Sequence, residues 1–324
     1  MSIYLYIAIG RKMSSPKKRR ITTLRTAETK GCLEESNGHP RDQRISFVEE
    51  GHKYFIDGVE YSTLGGVGST TFIKSFFPTF DAAKIIGFIQ RGRRYRSDTE
   101  YKYYRKSAEE IKQMWAANGN QACNAGTIMH ANIEHFYNKR EVVDTSPEWR
   151  QFLEFEQKRS NLEPYRTEWM IFDEEFRISG AIDMLFKHAD GEVSIYDWKR
   201  SKEIKRSASE KAFFPIEHLK NCNLNHYSLQ LNLYKFILER NYGLVVKGMH
   251  LIVCHPNRQK YLDIPLQDMK AEILDMMHYR KLVLFKQNMI DLAQLGLTKE
   301  EALSIDWNCV RTHDINNVVR CGDN

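Results

Sequence analysis

Between Ile45 and Pro265 several short stretches alternate apolar and polar residues, while other segments repeat apolar residues at helical spacing. Side chains change face at every residue of a strand and return every three to four residues of a helix, so the two periods separate the elements. Phe47-Val48 and Lys53-Tyr54-Phe55-Ile56 flank Glu50-Gly51-His52, with Asp57-Gly58 after them, which predicts a β-hairpin or two short strands. A helical and basic pattern runs from Asp81 to Trp115, and helices are expected over 124–138 and 147–159. Three strands follow at 165–172, 176–186 and 193–199, the last two joined at Ala189-Asp190-Gly191. A helix over 224–240, strands near 249–254 and 261–265, and a long helix over 266–292 complete the series. Gly65-Gly66-Val67-Gly68-Ser69-Thr70 lacks both the lysine and the third glycine of phosphate-binding loops, and reads as a flexible loop.

This order predicts an α/β fold, a central mixed β-sheet flanked by helices with an N-terminal helical elaboration. Residues 1–45 read as a flexible basic arm and 46–324 as a single domain. Within it, 46–122 form the elaboration and 123–265 the core. No internal repeat is visible.

Composition narrows the class. At 324 residues, 42% hydrophobic and 28% charged, the chain can bury a full core without disulfide or metal staples, and is not mainly disordered. No apolar run approaches the roughly 18 residues that cross a bilayer, so no membrane association is expected. Ile3–Ile9 is short and no basic residue precedes it, which argues against a secretory signal. Residues 1–46 hold ten of the 48 Lys and Arg and four of the 42 acids, so the whole net charge of +6 sits in the arm. Such a tail is a handle for nucleic acid, an import receptor or an anionic surface. Pro16-Lys17-Lys18-Arg19-Arg20 resembles a nuclear import signal, with a solvated tail as the alternative. The acid-poor stretch to Lys30 also fits a mitochondrial transit peptide. Nucleus and mitochondrion therefore both stay open, as do Met1 and Met13 as the start. The six cysteines contain no pair separated by two residues, which points to free thiols in a reducing compartment.

The meander carries the candidate chemistry. A hairpin centred near Asp190 sets Asp183 opposite Asp197 and Ala181 opposite Lys199, all on one face, with Ile182, Tyr196 and Trp198 turned the other way. Two buried carboxylates need a cation, and oxygen ligands favour Mg2+ or Mn2+. The alternative is a surface hairpin with an ordinary Asp–Lys pair. His130 and Glu134, four residues apart, share a helix face, and an imidazole there shifts preference toward Mn2+. Gln230 and Tyr234 are likewise four apart. Arg91, Arg93, Arg94, Arg96, Arg105 and Lys106, interleaved with tyrosines, suit a nucleic-acid backbone and unstacked bases, and Arg200 and Lys202 extend the basic set. The alternative there is a solvated helix face with core tyrosines.

In order, Gly126-Thr-x-x-His130-x-x-x-Glu134, Gly180-x-x-Asp183, Asp197-Trp-Lys199 and Gln230-x-x-x-Tyr234 resemble the PD-(D/E)XK nuclease superfamily. The likeness is to its RecB-type branch, with the mitochondrial genome maintenance exonucleases, the CRISPR-associated adaptation nucleases and related viral and phage exonucleases. It covers about a third of the chain and implies a restriction-endonuclease-like core. It also implies His130, Asp183, Asp197 and the Trp198 carbonyl as metal ligands and Lys199 as the residue that positions the water. Gln230 and Tyr234 would support the site or contact the DNA backbone, with Glu134 behind the ligands and Glu168 a further candidate. Ile182 stands where many members have proline. The cysteines are too scattered for the iron–sulfur cluster of some members, so none is expected. The expected activity is a metal-dependent DNA exonuclease or flap-type nuclease, single-stranded DNA favoured, in replication, repair or recombination. Its partners would be DNA and a separate helicase or other replication and recombination proteins. The alternatives are a nucleic-acid-binding protein on a degenerate nuclease fold and a structure-specific endonuclease.

Overall fold

The computed structural model describes residues 31–159 and 162–311. Helix α1 (Cys32–Ser36) and a 3-10 turn (Pro40–Arg44) lead into strands β1 (Ile45–Val48), β2 (Lys53–Ile56) and β3 (Val59–Glu60). These three form a small antiparallel sheet, the predicted hairpin with one strand added. A 3-10 turn (Tyr61–Leu64), strand β4 (Val67–Gly68) and helices α2 (Ser69–Lys74), α3 (Ala82–Arg91) and α4 (Arg93–Ser97) precede the long α5 (Ala108–Tyr137). Then come α6 (Pro147–Lys158), β5 (Glu163–Asp173), β6 (Ile178–Lys187), β7 (Val193–Arg200), α7 (Asn223–Asn241), β8 (Val246–Cys254) and β9 (Leu262–Pro265). The described chain ends with α8 (Lys270–Lys286), α9 (Leu292–Leu295) and α10 (Lys299–Ser304).

The central sheet is mixed, with strands in the order β4-β6-β7-β8-β9 and β5 paired to β6. One face is covered by α7 and α8, whose Leu229, Leu233 and Met276 pack with Leu185 and Ile195. The other is covered by α5 and α6, whose Ile133, Phe152 and Phe155 pack with Met184, Tyr196 and Trp198. Alternation along β6 and β7 therefore feeds two cores, as expected of a sheet between helix layers. Ile182 departs from expectation: it joins the cluster of Leu185 and Ile195 instead of that of Tyr196 and Trp198.

Several boundaries differ from the sequence reading. The described end of the arm, from Gly31, is docked rather than loose. Asp42 pairs with the buried Arg166 at 2.7 Å and accepts the Trp169 indole N–H at 2.7 Å. The Pro16–Arg20 run lies outside the described residues. The glycine-rich stretch is no flexible loop either, since Val67 and Gly68 pair in parallel with Ile178 and Ser179 and α2 starts at once. Helix α5 begins at Ala108, where Ser107 and Glu110 form a capping box that satisfies the first free N–H groups. The last long helix starts later than expected. Asn232 takes the Met269 N–H and donates to the Gln267 carbonyl, which keeps 266–269 out of the helix. Among the described residues no helix is long and apolar enough to cross a membrane.

Candidate active site

The site lies where the central sheet splits. β5 pairs with β6 from Ile178 to Lys187 and so takes one edge of that strand. The other edge is shared, β7 pairing at Met184 to Lys187 and β4 at Ile178 and Ser179. The β6–β7 pairs, Met184 with Tyr196 through Lys187 with Val193, have the expected register, but the ladder ends one step short of Asp183 and Asp197. The carboxylate of Asp183 instead accepts the Trp198 N–H at 2.9 Å and so bridges the opening. Ala181–Lys199 and Asp183–Asp197 are thus neighbours across a split rather than ladder pairs.

Helix α5 brings His130 to this opening. Its Nε2 donates to the Trp198 carbonyl at 2.8 Å, because a carbonyl can only accept. Its Nδ1 is 3.4 Å from Glu168 Oε1 and 3.5 Å from Asp183 Oδ2. Glu168 sits between the pairs Thr167–Met184 and Trp169–Ile182 with φ 45°, a left-handed conformation rare for residues other than glycine. Donor atoms of His130, Glu168 and Asp183 all lie within 4.8 Å of one another. Glu134 follows one turn along α5, half-buried.

Asp197 is 2% exposed, and Lys199 Nζ lies 2.8 Å from its Oδ2. The contact is an ion pair off hydrogen-bond geometry, so that buried oxygen has no directed partner. Burial, and then the charge of Asp183, push the Asp197 carboxyl up to about 7. Burial likewise raises Asp183, although His130 and Lys199 oppose it. Burial favours the neutral ring of His130, but the carboxylates of Asp183 and Glu168 outweigh it and raise the group to about 9. Burial also disfavours the charged Lys199, yet Asp197 and Asp183 hold it well above the usual lysine value. Lys199 is therefore an ammonium at neutral pH, able to donate and to neutralise but not to act as a base.

From α7, Gln230 donates to Tyr234 Oη at 2.8 Å and to Thr70 Oγ1 at 3.2 Å, and Tyr234 Oη meets Ser69 Oγ at 2.9 Å. Burial raises Tyr234 to about 12, so it stays a neutral hydroxyl. Ser69 and Thr70 are the residues that the sequence reading missed. The signal was the run of glycines before them, since small residues mark close backbone approach. Gly180 shows how close the packing is. A Cβ there would lie 2.7 Å from both Ser69 Oγ and Tyr234 Cε1. Gly180→Ala is expected to cost about 1–3 kcal/mol in urea unfolding, because the Tyr234 ring must shift. A loss under about 0.5 kcal/mol would show that the site relaxes freely.

The basic residues divide. Arg91, Arg93, Arg94, Arg96 and Arg105 are exposed and Lys106 half-buried. Arg94 lies over Tyr101 at 4.7 Å and pairs with Asp98 at 3.0 Å. The tyrosines between them are partly a small core. Tyr103 is buried and accepts the Trp115 indole N–H, and Tyr95 donates to the Lys106 carbonyl. This lobe packs against Ile111, about 28 Å along α5 from His130 at 1.5 Å per residue. Arg200 does not face outward as the basic set implied. It is held by Glu148 at 2.7 Å, both largely buried. Lys202 is exposed.

A metal was expected at this site, and the residues present fit one. His130, Glu168 and Asp183 offer one nitrogen and two carboxylates, and Asp197 keeps a buried oxygen without a directed partner. Such a donor set suits a hard divalent cation, which would compete with the proton on His130. Asp197 lies outside the three-residue cluster, and its Oδ2 faces Lys199 as well as being free to turn to a metal.

Residues 145–303 match the family model of the PD-(D/E)XK nuclease superfamily. Over that span, just under half of the chain, the sequence is similar to that superfamily. The matched region contains Glu168, Asp183, Asp197, Lys199, Gln230 and Tyr234, while His130 and Ser69 lie before it. No curated protein matches the chain. Two solved structures are similar to it. SSO0001 is 13% identical, with 69% of this chain and 76% of that one covered and a TM-score of 0.30. A protein from Eubacterium rectale described as an exonuclease is 13% identical, with 71% and 84% covered and a TM-score of 0.33.

Proposed function

We propose that the chain is a divalent-metal-dependent deoxyribonuclease, an exonuclease or flap-type enzyme that favours single-stranded DNA in replication, repair or recombination. The observation that carries this reading is the convergence of His130, Glu168 and Asp183 beside the buried Asp197–Lys199 pair. What a Mg2+ or Mn2+ ion supplies when bound there is positive charge against the phosphate oxygens and a more acidic water. His130, Glu168, Asp183 and Asp197 would hold it, with the Trp198 carbonyl as a further ligand by family resemblance. Lys199, fixed as an ammonium, holds the attacking water and offsets charge at the phosphorus as the new bond forms. Gln230 and the buried Tyr234, braced by Ser69 and Thr70, support the site, and the half-buried Gln230 is the one of the two placed to meet the DNA backbone. The exposed arginines around α4, with Lys202, offer phosphates a positive surface.

End-labelled single-stranded, duplex and blocked-end DNA, digested with Mg2+, Mn2+ or EDTA and sized, test the reading. Cleavage is expected with either metal, fastest on single strands with free ends, and none in EDTA. Full activity in EDTA, or DNA binding without any cleavage, would sink it.

A further inference from the structure

We propose that Tyr227 is a positioning residue for Lys199, its ring forming the wall that holds the ammonium against Asp197. The inference rests on the role given to Lys199 above. Lys199 Nζ lies 5.0 Å from the centre of the Tyr227 ring, within cation–π range, and 2.8 Å from Asp197 Oδ2. The ammonium is therefore gripped from two elements, by a carboxylate on β7 and by an aromatic face on α7.

Both holders are rigid. Asp197 is 2% and Tyr227 4% exposed, so neither side chain can swing into solvent. Tyr227, Gln230 and Tyr234 recur at helical spacing, so one stripe of α7 carries all three. Gln230 and Tyr234 are tied to Ser69 and Thr70, which ties the stripe to α2 as well. A lysine ends in a compact charge on a flexible four-carbon stem, and an ion pair alone leaves that stem free to pivot. The ring adds a second contact to the ammonium besides Asp197 and so limits how far the stem can pivot. Leucine at 227 would keep the apolar packing but present no π face.

A double-mutant cycle tests this. In single-turnover cleavage at saturating metal, Tyr227→Leu should slow the reaction about thirtyfold, the size of a desolvated cation–π contact. DNA affinity should be unchanged, and Tyr227→Phe, which keeps the ring, should hold the rate. In a Lys199→Ala background, Tyr227→Leu should have no further effect. Equal slowing in both backgrounds would make Tyr227 a packing residue only and overturn the inference. A second readout needs no cleavage. The NMR signal of the Lys199 ammonium should survive in wild type and in Tyr227→Phe, and broaden by hydrogen exchange in Tyr227→Leu. A signal untouched in Tyr227→Leu overturns the inference whatever the kinetics. If Lys199→Ala cuts as fast as wild type, the role of Lys199 fails, and the ammonium signal still decides whether the ring holds it.

Discussion

Asp183→Ala should abolish cleavage, with a fall in single-turnover rate of about 10⁴-fold or more, equivalent to about 5 kcal/mol at 1.36 kcal/mol per decade. Three jobs meet on this one carboxylate. It accepts the Trp198 N–H at 2.9 Å and so spans the opening between β6 and β7. It stands 3.5 Å from His130 Nδ1 in the cluster that fits a metal. Its charge also helps to raise Asp197 and to keep Lys199 protonated. Asp183→Asn separates these, since an amide oxygen can still accept the Trp198 N–H but brings no charge. Both variants should be inactive, and Asn should unfold nearer to wild type in urea. Asp197→Ala should be equally inactive, because it leaves Lys199 without its ion-pair partner. Either aspartate variant cutting within tenfold of wild type would remove the carboxylates from the catalytic machinery.

Lys199→Ala should slow turnover about a hundredfold or more, in the range seen when one preorganised donor is lost. Metal capture and DNA binding should survive, since the three clustered donors do not include the lysine. The structure makes this expectation sharper than a lysine beside an aspartate would. The ammonium is largely buried at 2.8 Å from Asp197, and two carboxylates keep it charged. Lys199→Arg should not restore the rate, because a planar guanidinium cannot stand where a compact ammonium fits against the Tyr227 ring. A solvated Lys–Asp pair is worth under about 1 kcal/mol, and its removal would leave turnover nearly unchanged. Single-turnover rates at saturating metal decide between the two, and a rate within about threefold of wild type would take Lys199 off the site.

Much of the frame was legible in the chain. The succession of strands and helices, the register of β6 on β7, the helix that carries Gln230 and Tyr234, and the placing of Asp197 and Lys199 on one face all follow from local pattern. Such features depend on neighbours two to four residues away, and alternation in the β6–β7 hairpin leaves only one register that buries Met184 and Tyr196. What blurred the reading was also local. The glycines before Ser69 suggested a loop because two-residue strands such as β4 are too short to show a period.

Distant contacts left no such trace. Ser69 and Tyr234 are 165 residues apart, Thr70 and Gln230 160, and Asp42 and Trp169 127. Nothing in the spacing of one partner marks the other. The left-handed turn of Glu168 that completes the cluster with His130, the end of the ladder one residue before Asp183, and the capture of Arg200 by Glu148 are of the same kind. By itself the sequence determined which chemical groups exist and which strand or helix presents them, because that is a matter of period and neighbours. Only the tertiary structure decided which of those groups meet. Packing helices on both faces of one split sheet, at near-crystalline density, chooses partners by shape and burial across the whole chain.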